Sequence, residues 1–247
     1  MATKGGDRAA RAWALITGCA AGRPVAAEHV CWAAGKAVGA DGAALSLSTG
    51  TGAQALVFAT DEIAAGVEEL QFSLGEGPGV DAWTYGGASL AEDLESADTA
   101  ARWPFFAPAA VAAGACAVFA FPLQAGAIRL GTLDLYRAKA GLLSTEQLAD
   151  ALTFADAALE VMLHSAHRGP GSSEVQPFGE LGEMRAEVYQ AIGMVAVQLD
   201  AGLDVAFVRL RARAFTDGVE VADIARRVLS RDLRFGPEDP AGFHADT

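Results

Sequence analysis

Ten residues late in the chain, Arg168 to Pro177, hold two prolines, two glycines and two serines. Proline removes a backbone donor and glycine adds backbone freedom, so neither a helix nor a strand continues through such a stretch. One continuous core cannot be threaded across it. The chain therefore reads as two units, 1–167 and 179–235, joined by a linker at 168–178. From Gly236 onward, with Pro237 and Pro240, the sequence reads as a disordered tail.

The first unit mixes helix and strand patterns. Pro24 to Val38 predicts a helix, with Pro24 early enough that its missing N–H costs nothing. Ala43 to Ser48 and Gln54 to Thr60 are strand-like, with Thr49-Gly50-Thr51-Gly52 as a hairpin turn. Ala115 to Leu123 and Ile128 to Arg137 form a second pair around Gln124-Ala125-Gly126. In the latter strand Thr132, Asp134 and Tyr136 alternate with Leu133 and Leu135, the pattern of a half-buried strand. A glycine-rich, helix-containing stretch from Gly75 to Ala113 separates the pairs. The fold class that follows is α+β, an antiparallel sheet with flanking helices.

The unit closes on a long helix. Ser144 and Gln147 have capping-box spacing, and Leu148, Leu152, Ala155, Leu159 and Met162 recur with a heptad rhythm. Such a seam packs on its own sheet or serves a two-fold partner. Its regularity at the exit of a domain points to a homodimer, with Leu148, Leu152, Leu159 and Met162 as the contact. At the other end, Arg8 and Arg11 precede the apolar run Ala12–Ile16, and Gly18-Cys19 follows. That order loosely resembles a lipoprotein signal, but the apolar core is very short and a first amphipathic helix explains it as well.

Charge narrows the function classes. The net charge is −13, which argues against non-specific coating of nucleic acid. The acidity is uneven: residues 1–170 carry ten basic and eighteen acidic groups, whereas 185–235 carry eight arginines and seven acids. Only the second unit is a plausible landing place for a polyanion. Cys19, Cys31 and Cys116 are odd in number and lack C-x-x-C spacing, which points to reduced thiols in a cytoplasmic protein. The longest apolar run, Val111 to Leu123, is too short to span a bilayer, so no membrane is expected. His29, His164, His167 and His244 are scattered, without a nucleophile–base pair, P-loop or metal motif. We therefore expect no catalytic residues, no metal and no cofactor.

The second unit predicts three helices, Glu183 to Leu199, Leu203 to Phe215 and Val221 to Arg231. Their apolar positions include Met184, Val188, Ala191, Ile192 and Val195 on the first, Leu203, Phe207, Leu210 and Ala214 on the second, and Val221, Ile224, Ala225 and Val228 on the third. This is an all-α three-helix bundle. The stretch Arg185 to Met194, with Gln190, Gly193 and Met194, is followed by Ala206 to Ala214 with Leu210-Arg211 and Ala214, and then by Ile224-Ala225. In order and spacing, 183–235 resembles the ANTAR family. The resemblance implies binding to paired stem-loops in nascent messenger RNA, favouring an antiterminator over a terminator. Arg209 and Arg213 lie one helical turn apart beside the apolar stripe, and Arg227 and Arg231 repeat the arrangement; Arg211 lies elsewhere on its helix. Guanidinium groups pair with phosphate and stack on unpaired bases, and Gln190 can read a base edge. The candidate RNA contacts are Arg185, Gln190, Gly193, Arg209, Arg211, Arg213, Arg227 and Arg231. The same arginines could instead pair with Asp200, Asp204, Asp223 or Asp232 on a solvated surface. Ile192 stands where the family often has lysine.

Four motifs in the first unit occur in order: Leu74 to Ala82 (Leu-Gly-Glu-Gly-Pro-Gly-Val-Asp-Ala), Arg102-Trp103-Pro104, Ala120 to Leu123, and Leu130 to Tyr136. With them 24–166 resembles a GAF domain of the kind that precedes ANTAR domains. The resemblance implies a small molecule bound between sheet and inserted helices, which maps to Gly77, Gly79, Trp83, Trp103 and Phe106. Glycine amides at 75, 77 and 79 could meet an anionic group at a helix start, or simply make a tight turn. Trp83 and Trp103 could stack on a flat ligand or sit in the core. No cysteine lies where a bilin would attach, and no receiver-type acidic cluster is present. The expectation is a homodimeric, RNA-binding antitermination regulator controlled by an unidentified small molecule or partner. Its alternatives are a DNA-binding regulator and a small-molecule-binding dimer whose last bundle makes protein contacts.

Overall fold

In the computed structural model, residues 3–48, 54–167 and 179–236 are described. The chain forms two compact units. The first contains α1 (Thr3–Ala20), α2 (Ala27–Val38), β1 (Gly42–Ser48), β2 (Gln54–Ala59), α3 (Glu62–Leu74), α4 (Pro78–Tyr85), β3 (Ser89–Ala91), α5 (Ala97–Arg102), α6 (Phe106–Ala112), β4 (Ala117–Ala125), β5 (Ile128–Arg137) and α7 (Thr145–His167). The sheet has the order β2-β1-β5-β4-β3, and β1–β5, β4–β5 and β3–β4 are antiparallel. The expected antiparallel sheet with flanking helices is present.

Strand alternation divides the sheet into two chemically different faces. Phe119, Phe121, Leu123, Leu133, Leu135 and Leu45 point to one side and are buried with α1, α2 and α7. There, small residues of α2 (Ala33, Ala34) and α7 (Ala151, Ala155, Ala158) permit close helix packing, and Phe154 is buried with them. The opposite face carries Ser46, Thr132 and Asp134, all buried beneath α3 and α4.

Several expectations change in detail. α2 begins at Ala27 rather than near Pro24, because His29 Nδ1 accepts the Ala26 N–H at 3.0 Å and so supplies the N-terminal cap. β3 has no signal in the sequence; three residues are too few to show a period. The β4–β5 turn is made by Gly126 and Ala127, with Gly126 at φ 61°. The turn expected at Thr49–Gly52 lies outside the described residues. α1 is an integral helix of this unit: Ile16 is fully buried, and Arg8 pairs with Glu146 at 2.7 Å and Asp150 at 2.6 Å on α7. The Ser144–Gln147 capping box forms as expected, with reciprocal bonds of 2.9 and 3.2 Å.

The α7 seam requires a correction. Ala155, Leu159 and Met162 are buried in their own domain, and Leu148 is partly buried against the same core. Of the expected contact residues, Leu159 and Met162 are therefore unavailable to a partner, and only Leu152 is exposed, at 45%. The heptad spacing arises because α7 lies along the sheet and α2.

The second unit packs α8 (Gly179–Leu199), α9 (Leu203–Asp217) and α10 (Val221–Leu229) together. Val188, Ala191, Ile192 and Val195 of α8, Phe207, Leu210 and Ala214 of α9, and Ile224, Ala225 and Val228 of α10 are all buried, as are Leu233 and Phe235. Leu203, expected inside, is 44% exposed at the first position of α9. Residues 237–247, expected to form a disordered tail, lie outside the described residues. Among the described residues no single helix is long and apolar enough to cross a membrane.

Candidate functional site

α3 and α4 cover the polar face of the sheet, and the residues that join them form one connected cluster. Asp61 starts α3 by accepting the Ala64 N–H at 2.8 Å. One turn beyond the middle of α3, Gln71 is buried and reaches down to the sheet. Its Nε2 donates to Glu68 Oε1 at 2.9 Å and to Asp134 Oδ2 at 2.7 Å, while its Oε1 accepts the Gly79 N–H at 2.5 Å. One amide thus ties α3, β5 and the first turn of α4 together. Asp134 is only 4% exposed, and its Oδ1 is sealed from solvent without a hydrogen-bond partner. Burial drives the Asp134 carboxyl above the ordinary carboxylate range, against the opposing pull of Glu68, Gln71 and Thr132.

A cavity of about 10 Å³ adjoins this cluster, walled by Ala44, Ala64, Val67, Val118, Asp134 and Tyr136 among others. It has room for roughly one water-sized group. Tyr136 donates to Asp61 Oδ1 at 3.0 Å, and burial together with Asp61 pushes its hydroxyl pKa up. Ser46 and Thr132 hydroxyls satisfy each other at 3.0 Å. Ser48 Oγ and Ser89 Oγ, like Asp134 Oδ1, are buried without a partner.

The glycine motif is resolved in favour of the tight turn. Gly77 (φ 133°) ends the loop into α4, with Pro78 as the first helical residue. A Cβ on Gly77 would lie 2.8 Å from Gln71 Oε1 and 3.2 Å from Phe106, and one on Gly79 would lie 2.4 Å from Asp134 Oδ2. The glycines are required by close approach to the polar cluster. The anion at a helix start belongs to the loop itself: Glu76 Oε1 accepts the N–H groups of Phe105 and Phe106, at 2.6 and 2.7 Å, where α6 begins.

The aromatic candidates divide similarly. Trp103 and Phe106 are buried and pack edge to face, with centroids 6.3 Å apart. Trp103 Nε1 donates to Asp81 Oδ2 at 3.2 Å, Arg102 pairs with that carboxylate at 2.7 Å, and the guanidinium lies 4.6 Å from the indole centroid. Trp103 and Phe106 are therefore framework that fastens α4, not stacking surfaces open to a ligand. Trp83 is half-buried on α4, and its backbone carbonyl, with that of Thr84, accepts from Arg129 at the end of the helix. Asp134, Glu68 and Gln71 are site residues that sequence reasoning missed. The alternation placing Asp134 with Thr132 and Tyr136 is visible in the sequence, but the partners come from another element.

In the second unit the candidate RNA contacts also separate. Arg185 is buried and belongs to the bundle interior. Arg211 stacks over Phe207, 3.8 Å from the ring centroid. Arg213 and Arg227 converge on Asp217, at 2.9 and 2.7 Å. Partial burial alone would raise the Asp217 pKa, but the hydrogen bonds and charges of the two arginines hold it below the usual range. Arg226 pairs with Asp223 at 2.6 Å and approaches Glu187 at 3.4 Å. Gln190, Arg231 and Arg234 are exposed, Arg209 is half-buried, and Gly193 is partly exposed on α8. Ile192, noted in the sequence for standing where a lysine was expected from the resemblance, is buried. Among the described residues no group of histidine, cysteine and carboxylate side chains could hold a metal ion.

No protein-family model matches the chain, and no curated protein matches it. Solved structures similar to it include the GAF domain of an Acinetobacter phosphoenolpyruvate-protein phosphotransferase, 12% identical, covering 70% of this chain and 100% of that one at a TM-score of 0.48. Another is the GAF domain of a Coxiella burnetii phosphoenolpyruvate-protein phosphotransferase, 15% identical, covering 66% and 96% at 0.48. A third is the second GAF domain of DevS from Mycobacterium smegmatis, 20% identical, covering 57% and 94% at 0.41.

Proposed function

We propose that this chain is a sensor-controlled RNA-binding regulator. Its GAF-like first unit takes up a small molecule, and its ANTAR-like second unit binds stem-loops in nascent messenger RNA to favour an antiterminator. The observation that carries the RNA reading is the placement of the three sequence signatures. Arg185–Met194, Ala206–Ala214 and Ile224-Ala225 fall on α8, α9 and α10 respectively, and the apolar members Ala191, Leu210, Ala214 and Ala225 are buried together. Exposed Gln190, Arg231 and Arg234 supply base-edge and phosphate chemistry. The sensor reading rests on the four ordered motifs and on the polar cluster beneath α4. Pairing of two chains through the exposed side of α7, around Leu152, is part of the proposal, since paired bundles suit paired stem-loops.

The test compares binding of the full chain to hairpin RNA and to duplex DNA of equal charge at matched salt. Preference for the hairpin supports RNA readout, and equal affinity reduces it to phosphate attraction. One observation favours the protein-contact alternative: Val197, Val205 and Val208 are exposed on α8 and α9, at 84%, 46% and 61%. Hairpin binding that is absent while the chain captures a protein through these valines would favour that alternative.

A further inference from the structure

We propose that the solvent-facing side of α9 is a contact between two copies of this chain, in which the two α9 helices lie parallel and in register. This contact is separate from the pairing around Leu152 of α7 and does not depend on the RNA reading.

α9 carries two apolar stripes. Ala206, Phe207, Leu210 and Ala214 are buried, whereas Val205, Val208 and Phe215 are 46%, 61% and 60% exposed. Ala212 is half-buried, and Val219, just past the Gly218 cap, is 42% exposed. Positions 205, 208, 212, 215 and 219 follow one another at spacings of three and four in strict alternation, the rhythm of a coiled-coil seam. The buried residues fall at the b, c and f positions of that heptad, on the far side of the helix. A surface helix needs one apolar stripe to face its own core, so the second stripe is surplus to the bundle. Because α9 is already held helical by its buried side, pairing has no helix to nucleate.

Charge then fixes both the occupant and its direction. With Val205 and Ala212 at a and Val208 and Phe215 at d, Asp204 and Arg211 fall at g, and Arg209 and Thr216 at e. In a parallel pair each g residue meets the e residue five positions on in the other helix. Asp204, which is exposed, then faces Arg209 of the second copy, twice by symmetry, and Arg211 faces the neutral Thr216. An antiparallel pair that overlaps the whole stripe would instead set Arg209 against Arg209 and Arg211 against Arg211. Like charges so placed are destabilising, and the parallel pair avoids both. Ala212, the small residue in the middle of the seam, lets the two helices approach closely.

The test introduces one cysteine at a time into the full chain and follows disulfide cross-linking at micromolar concentration under copper phenanthroline. The native chain, treated alike, controls for the free thiols of Cys19, Cys31 and Cys116. Val208→Cys and Phe215→Cys probe the seam, and Val197→Cys probes an 84% exposed position on α8. We expect both seam variants to form covalent dimers roughly tenfold faster than Val197→Cys, because a paired thiol meets its partner at a higher effective concentration than a colliding one. Asp204→Arg in the Val208→Cys chain should slow cross-linking about tenfold, since two attractive pairs become repulsive. Adding Arg209→Asp should restore it, which a merely structural role for Asp204 would not do. The ranking should persist in Leu152→Glu, and its loss there would overturn the α9 contact in favour of α7 alone. Equal rates at the three positions overturn the proposal and leave the stripe to a different protein. So does cross-linking that Asp204→Arg leaves unchanged, or faster joining of Val208→Cys to Ala212→Cys than to itself, the mark of antiparallel helices. No RNA is present, so each result is independent of hairpin binding.

Discussion

Gln71 donates to Asp134 at 2.7 Å and, with the same amide group, accepts the backbone N–H of Gly79 at 2.5 Å. A single side chain thereby couples the floor of the candidate pocket to the helix that covers it. Anything that changes the Asp134 carboxyl is transmitted to α4 through two hydrogen bonds.

Asp134→Asn should stabilise the protein at neutral pH. Burial raises the folded-state pKa of Asp134 above its ordinary value of 3.8. For a raised carboxyl the favourable contribution is present below the unfolded value and is lost as pH climbs through the folded one. The amide keeps an acceptor for Gln71 but carries no charge. Its Tm should exceed that of the native chain at pH 7 by roughly a few degrees. Circular dichroism melts on descending pH should show the gap closing towards the ordinary carboxylate value. A variant less stable than the native chain at every pH would show that the carboxylate is compensated.

Gly79→Ala should be costly despite adding one methyl group. The new Cβ would fall 2.4 Å from Asp134 Oδ2 and 2.9 Å from Gln71, and overpacking of this kind typically costs about 1–3 kcal/mol. Gly87→Ala, where a Cβ meets nothing within 4 Å, serves as the control in urea unfolding.

Asp217→Asn should tighten RNA binding. Asp217 engages Arg213 and Arg227 and so competes with phosphate for both guanidinium groups. Because the arginines hold its pKa below 3.8, the contribution of this pairing to stability is present at neutral pH and lost only as pH falls below that value. Removing the carboxylate should steepen the log–log salt dependence by about one unit for each additional phosphate the freed arginines engage. The stability cost should stay under about 1 kcal/mol, as for other exposed ion pairs. Unchanged affinity and slope in filter binding would mark Arg213 and Arg227 as structural.

Two substitutions on α7 should behave oppositely. Leu159 is buried in its own core, so Leu159→Glu should unfold the first unit, at a cost of several kcal/mol. Leu152 is exposed, so Leu152→Glu should leave the circular dichroism spectrum intact while turning a dimer into monomers by light scattering. A native chain that is monomeric at micromolar concentration would remove dimerisation from the proposed function.

Most of the elements were legible in the local patterns of the sequence, although three-residue β3 was not. Periods of two and of 3.6 mark strands and helices locally, and the Arg168–Pro177 stretch interrupts both. The Ser144–Gln147 cap was legible because capping is completed within four residues. What lay beyond it was which side chains meet. The α7 seam looked the same whether it faced a partner or its own sheet, and only packing placed Leu159 and Met162 inside. The six arginines among the candidate RNA contacts look alike in sequence, yet Arg185 is interior and Arg213 and Arg227 share one carboxylate. The Gln71–Asp134 contact spans 63 positions. No local pattern encodes it, because it exists only when α3 and α4 lie across β5 and exclude water from both groups, and that exclusion is what alters the chemistry of Asp134.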